Sequence, residues 1–271
     1  MDQAKDFYED SLKLYDLLMD RKDSDYDYVT QFKGWTINDV VGHLHVFNIG
    51  AMTTLNGSNA FDVFAAPILS GLQKGLSLVE TQWPLLNGLS GRHLLNEWWC
   101  GVEDLANEYS RANPKMRVKW MGPEMSSRLC LTARQMETWA HGQEVFDRFG
   151  VVRKESDTIK NIVHLGNTTF FWTFANRNLQ IPEKAPHLIL QSPSEKIWKW
   201  NESFNDELIF GKAVEFAQVV TQVRNFEDTN LTINGTIATE WMKYAQCFAG
   251  PAEDPPGKGL RYLEKKDQTT N

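Results

Sequence analysis

From Glu124 to His141 the chain carries neither proline nor glycine. Nothing breaks a helix there, and the pattern predicts one running over 124–149, where Gly150 stops it as a C-terminal glycine should. A helix of that length is stable only with its apolar face covered. The rest of the N-terminal half therefore has to supply partner helices. Within the run, Thr132-Ala-Arg-Gln-Met-Glu-Thr-Trp-Ala-His141 sets Glu137 and His141 four residues apart. On an α-helix that spacing projects both side chains from one face. A carboxylate and an imidazole there can grip one divalent ion. The bland alternative is a solvated ion pair worth a few tenths of a kcal/mol.

A third donor has to come from elsewhere, since zinc sites use at least three protein ligands. The best source is Gly34-Trp-Thr-Ile-Asn-Asp-Val-Val-Gly-His-Leu-His45, with His43 as the leading donor. Ile37, Val40, Val41, Leu44 and Phe47 share a face, and both His43 and His45 flank it. Periodicity alone does not choose between them. Thr36 is placed to cap this helix, with Asp39 completing a variant capping box. Further helical periodicity covers 3–21 and 91–112, the latter ending near Asn113-Pro114. Residues 59–81 read as mixed helix with breaks at Pro67 and Gly71, a segment suited to a mobile lid.

The second half changes character. Residues 155–180 look helical. Strand-like runs follow at 187–191, 196–200 and 231–233, the first two joined by a hairpin at Ser192-Pro-Ser-Glu195. Helices are expected over about 211–222 and 236–248, and the polar tail after Pro255 reads as poorly ordered. The expected class is α+β, with a helical bundle over 1–150 and a small α/β domain over 151–271.

A net charge of −7 and a pI of about 5.4 argue against a nucleic-acid partner, whose phosphates demand Lys and Arg. Cys100, Cys130 and Cys247 lack paired spacing, which fits a reducing compartment. The acidic N-terminus resembles no targeting peptide, and no stretch reads as a membrane span. The expectation is a cytoplasmic protein acting on a small-molecule substrate, with no membrane partner and with a homodimer left open.

The segment Gly-Trp-Thr-x-x-Asp-x-x-Gly-His-Leu resembles the N-terminal motif of the mycothiol-dependent maleylpyruvate isomerase family, within the DinB-like metal-binding helical bundles. The likeness continues at Trp120-Met-Gly-Pro-Glu-Met-Ser126 and Ala133-Arg-Gln-Met-Glu-Thr-Trp-Ala-His-Gly-Gln-Glu-Val145. It resumes at Val220-Thr-Gln-Val-Arg224, at Trp241-Met-Lys-Tyr-Ala-Gln-Cys-Phe-Ala-Gly-Pro251 and at Pro256-Gly257. These C-terminal runs resemble a poorly characterised two-domain, metal-binding branch of that family. The resemblance implies a DinB-like four-helix bundle followed by a small α/β domain, and a ligand triad on His43, Glu137 and His141. It leaves His45 as a partly buried histidine beside the core and Cys130 as a small buried hydrophobe.

Three protein ligands leave an open position, the pattern of a catalytic site, with Zn²⁺ the leading ion. In the relatives a low-molecular-weight thiol adds to an activated double bond, a single bond rotates and the thiol leaves. The resemblance thus implies a metal-dependent isomerase or transferase that uses a thiol, or water, on a small unsaturated acid. Arg224 matches an arginine common to the branch and is the candidate to hold a carboxylate; the plainer reading is an ion pair with Glu227 or Asp228. Gln222 and Trp35 are weaker candidates for pocket walls, and Trp139 points away from the metal face into the core. A thiol-independent hydrolase, lyase or cyclase, and a non-catalytic metal-binding module, are the competing readings.

Overall fold

The computed structural model describes residues 1–204 and 206–265. They divide into two compact units, Met1–Val151 and Val152–Lys265, within an α+β chain.

The first unit opens with α1 (Asp2–Leu18), α2 (Ile37–Leu55), α3 (Ser58–Gln73), α4 (Leu78–Leu86) and α5 (Gly91–Arg111). A short antiparallel pair, β1 (Arg117–Val118) and β2 (Met125–Ser126), leads into α6 (Ser127–Arg148). α1 and α2 each pack on both α5 and α6. The four long helices thus form a ring of neighbours, a four-helix bundle, around Phe7, Leu14, Val41, Leu44, Trp98 and Leu105.

The two helices that matter most have sharp, local boundaries. Thr36 Oγ1 accepts from the Asp39 amide at 3.1 Å, and Asp39 Oδ2 accepts from the Thr36 amide at 2.9 Å. That reciprocal cap fixes where α2 begins. At the end of α6, Gly150 adopts φ +61. Its amide donates to the Asp147 carbonyl and that of Val151 to the Phe146 carbonyl, both at 3.0 Å. This is a Schellman closure, and it needs a residue that tolerates the left-handed region.

Several boundaries differ from expectation: α6 starts at Ser127 and not at Glu124, because Met125–Ser126 pair as β2. α3 runs through Pro67 and Gly71, and the chain breaks later, near Gly75 at φ +87. An interior proline costs a hydrogen bond to the carbonyl four residues earlier. Here that residue is Val63, which is 78 % exposed, so water can serve its carbonyl. Buried Phe61, Ala65 and Ile68 hold the helix to the bundle on its other face.

The second unit holds α7 (Lys160–Thr168) and α8 (Phe170–Asn176), then β3 (His187–Gln191), β4 (Ile197–Trp200) and β5 (Leu208–Lys212). α9 (Ala213–Val220), β6 (Thr232–Asn234) and α10 (Thr236–Tyr244) complete it. The sheet order is β4-β3-β5-β6, with β3 and β5 parallel and the other pairs antiparallel. Leu188, Leu190, Trp198 and Ile209 are buried, and Trp241 of α10 meets Phe170 of α8 and Phe216 of α9 edge to face.

β5 falls where the periodicity suggests only the approach to a helix. Lys212 both ends the strand and caps α9, so no turn signal separates the two elements. The described part of the polar tail is also tied down. Pro256 accepts from Asn225, the Gly259 amide donates to Asp228, and Arg261 donates to the Gln222 carbonyl. The rest of that tail, 266–271, lies outside the described residues. Among the described residues no helix is long and apolar enough to cross a membrane.

Candidate metal centre

The bundle brings His43, Glu137 and His141 together. His43 sits on α2, and Glu137 and His141 sit one turn apart on α6. Glu137 Oε2 lies 3.3 Å from His43 Nε2 and 3.2 Å from His141 Nε2. One donor atom from each of the three lies within 4.8 Å of the others. Donor atoms each about 2 Å from one ion stand roughly 3.3 Å apart in a tetrahedral site. The two histidine–carboxylate spacings match that figure, and the donor set of two imidazoles and one carboxylate suits a divalent ion. Exposure is graded across the site: the side chains of His43, His141 and Glu137 are 6 %, 13 % and 24 % exposed. The deep histidine is sealed, and the α6 pair stays reachable.

The charge states suit ligation. Burial pushes the His43 ring down to about 4, against the upward pull of its hydrogen bond to Glu137. The ring is therefore neutral near pH 7, as a ligand must be. Burial alone would raise Glu137. The hydrogen bonds from His141 and His43 outweigh it and hold the carboxyl well below the usual range.

Aromatic rings fix the imidazoles. Trp35 lies parallel to His141 with centroids 5.5 Å apart, and Phe32 meets the same ring edge-on at 5.0 Å. Phe47 packs at 4.9 Å from His43. Among the described residues His43 Nδ1 has no hydrogen-bond partner. Its orientation is thus set by packing between Trp35 and Phe47 and not by the second hydrogen bond that ligating histidines commonly make.

Trp35 delivers its ring through a tight turn. Its amide donates to the Phe32 carbonyl, and its own carbonyl accepts from the Thr30 amide and hydroxyl. Lys33 at φ +51 and Gly34 at φ +73 close the loop. Phe32 and Arg134 escape the sequence reading, and Phe47 enters it only as part of the apolar face of α2. Arg134 had a usable signal, a charge three residues before Glu137 and seven before His141 and so on the ligand face. It is 1 % exposed. Burial pulls its guanidinium below the ordinary value, and the Glu137 charge works against that shift.

The other singled-out residues lie as follows. His45 is half-buried, outside the triad. Cys130 is buried and receives the Tyr109 hydroxyl at 3.3 Å; Trp139 is core. Gln222 is buried and spends its amide on the Ala245 and Glu253 carbonyls, so it ties down a loop. Arg224 belongs to the second unit, half-buried after α9. Its guanidinium donates to the Val223 carbonyl at 2.8 Å.

The family model for the mycothiol maleylpyruvate isomerase N-terminal domain matches residues 12–146, a span that contains all three triad residues. Proteins from two strains of Mycobacterium tuberculosis, both described as uncharacterized, are 32 % identical over 230 residues. That alignment covers 85 % of this chain and 87 % of theirs. The chain belongs to the mycothiol-dependent maleylpyruvate isomerase family. Its fold is also that of a solved member. The crystal structure of the mycothiol-dependent maleylpyruvate isomerase superposes with a TM-score of 0.50 at 14 % identity, and that of a single-residue mutant with 0.51 at 12 %. Each comparison covers 80 % of this chain and 87 % of the other.

Proposed function

We propose that this member of the family is a metal-dependent enzyme of the isomerase or transferase type, acting with a low-molecular-weight thiol or water on a small unsaturated acid. The observation that carries the reading is the convergence of two imidazoles and one carboxylate, sealed on the His43 side and reachable on the Glu137 side. Family membership favours a thiol as the nucleophile.

His43, Glu137 and His141 would hold the ion, with Zn²⁺ the best match to the donor set. Bound there, a divalent ion supplies Lewis acidity and lowers the pKa of a thiol or water entering an open position. Trp35 and Phe47 keep the two rings in place and exclude water behind them. Glu137 supplies the negative charge without a competing proton, because its neighbours keep it ionised. Arg224 is proposed to receive the carboxylate of the substrate. Arg224→Met should then weaken an anionic substrate by about 1.5–3 kcal/mol, more at low salt than at high. Binding measured at several salt concentrations checks it, and unchanged affinity would remove Arg224 from the site.

The function is tested by thermal-shift titration with Zn²⁺, thiols and small unsaturated acids, followed by assay of maleylpyruvate with mycothiol. A ligand that binds only the folded protein raises Tm with the logarithm of its excess over Kd. The reading expects Zn²⁺ to raise Tm, a thiol to raise it further only when Zn²⁺ is present, and Glu137→Ala to abolish both shifts. A thiol shift that survives Glu137→Ala would separate thiol binding from the triad and contradict the proposal.

A further inference from the structure

Arg134 lies on the same face of α6 as Glu137 and His141. Its Nε donates to Asn48 Oδ1 and an Nη to the Leu44 carbonyl, both at 3.2 Å. Both acceptors belong to α2, the helix that supplies His43, and Leu44 is the residue next to it. The guanidinium also sits 5.9 Å from the centre of the Phe47 ring, which packs on His43. Both acceptors are neutral groups of α2, so the hydrogen bonds of the fork run to that helix, while the Glu137 charge acts on the guanidinium through space. Burying a guanidinium is costly, and an apolar side chain of similar volume would fill the space without that cost. What an apolar residue cannot do is fix distance and angle between two helices through a rigid, planar, multi-donor group.

We infer that Arg134 is a positioning residue that sets the register of α6 against α2, and through it the spacing of His43 from Glu137 and His141. The inference rests on the metal reading proposed above, with Arg134 acting on the ion only through the ligands.

The test uses Co²⁺ as probe in the full chain, because its visible absorption reports ligand number and geometry. Wild type should bind Co²⁺, and His141→Ala should not. Arg134→Met should raise the Co²⁺ dissociation constant about 10–100-fold, the usual effect of removing a residue that orients ligands, and should shift the visible bands. Arg134→Lys keeps a cation but loses the fork, so it should recover only part of that loss. Asn48→Ala, which removes one acceptor, should change affinity and spectrum in the same direction by less. A purely structural role would lower Tm and leave the Co²⁺ affinity and bands of the folded protein unchanged. Wild-type binding and spectra in folded Arg134→Met, or in Asn48→Ala if Arg134→Met does not fold, would overturn the inference alone. Absence of Co²⁺ binding in wild type, or binding unaffected by His141→Ala, would remove the metal reading and this inference with it.

Discussion

Burial disfavours the charged form of both His43 and Glu137, and it prevails only at His43, because hydrogen bonds from the two imidazoles keep Glu137 ionised. His43 titrates at about 4 in the folded chain, against an ordinary value of 6.5. Between those values the unfolded chain takes a proton that the folded chain refuses. The stability tied to this group is therefore complete above about pH 6.5 and lost as pH falls to about 4. Glu137, depressed in the folded state, acts in the same direction lower down, as pH falls through the usual carboxylate range. We expect the metal-free protein to lose about 3 kcal/mol to His43 between pH 6.5 and 4. Urea titrations in that window check it, and a flat profile would contradict the burial argument. The cysteines give a second prediction. Cys100 is exposed, whereas Cys130 and Cys247 are buried, and burial pushes the Cys130 thiol up to about 11. A thiol-specific reagent at neutral pH should label Cys100 in the native protein and all three after unfolding. Fast native labelling of Cys130 would mean that the core between α5 and α6 opens. At this scale the sequence was partly legible. Helical spacing alone pairs Glu137 with His141, but His43 and His45 both flank the apolar face of α2. Periodicity does not select between them; the motif resemblance points to His43, and the packing of α2 against α6 puts His43 beside Glu137.

Elements whose boundaries rest on local chemistry read correctly from the sequence. The capping box at Thr36 and the glycine closing α6 act through groups a few residues apart, so they survive into the fold unchanged. Thr36→Ala should cost about 1 kcal/mol, and Gly150→Ala, forced into the left-handed region, roughly 1–2 kcal/mol. Denaturant melts of the two variants measure both, and a stabilised Gly150→Ala would contradict the strained closure of α6. Elements decided by tertiary context did not read. α3 continues through Pro67 because one face is anchored while its freed carbonyl lies on the wet side. β5 is a strand because β3 and β6 flank it, although its own residues run without a turn into α9.

For the whole molecule, the bundle carries its own apolar core, with Leu14, Val41, Leu94, Leu95, Trp98, Val102 and Leu105 each no more than 1 % exposed. Such a core is expected to fold without an ion, unlike a zinc finger. The fold of the family is retained at 12–14 % identity to its solved member, which shows how little of the sequence the architecture dictates. The segments that carry the candidate ligands combine helical spacing with a recognisable motif; the chemistry was not legible, because a candidate metal site alone does not choose a reaction. The central claim is that His43, Glu137 and His141 form one metal site. Its most direct test is metal stoichiometry, by elemental analysis and titration calorimetry, on wild type, Glu137→Ala and His141→Ala, with circular dichroism after chelation. The account predicts one divalent ion per wild-type chain, none in either variant, and helical content preserved in all three and after chelation. Metal bound equally by the variants, or global unfolding on chelation, would contradict it.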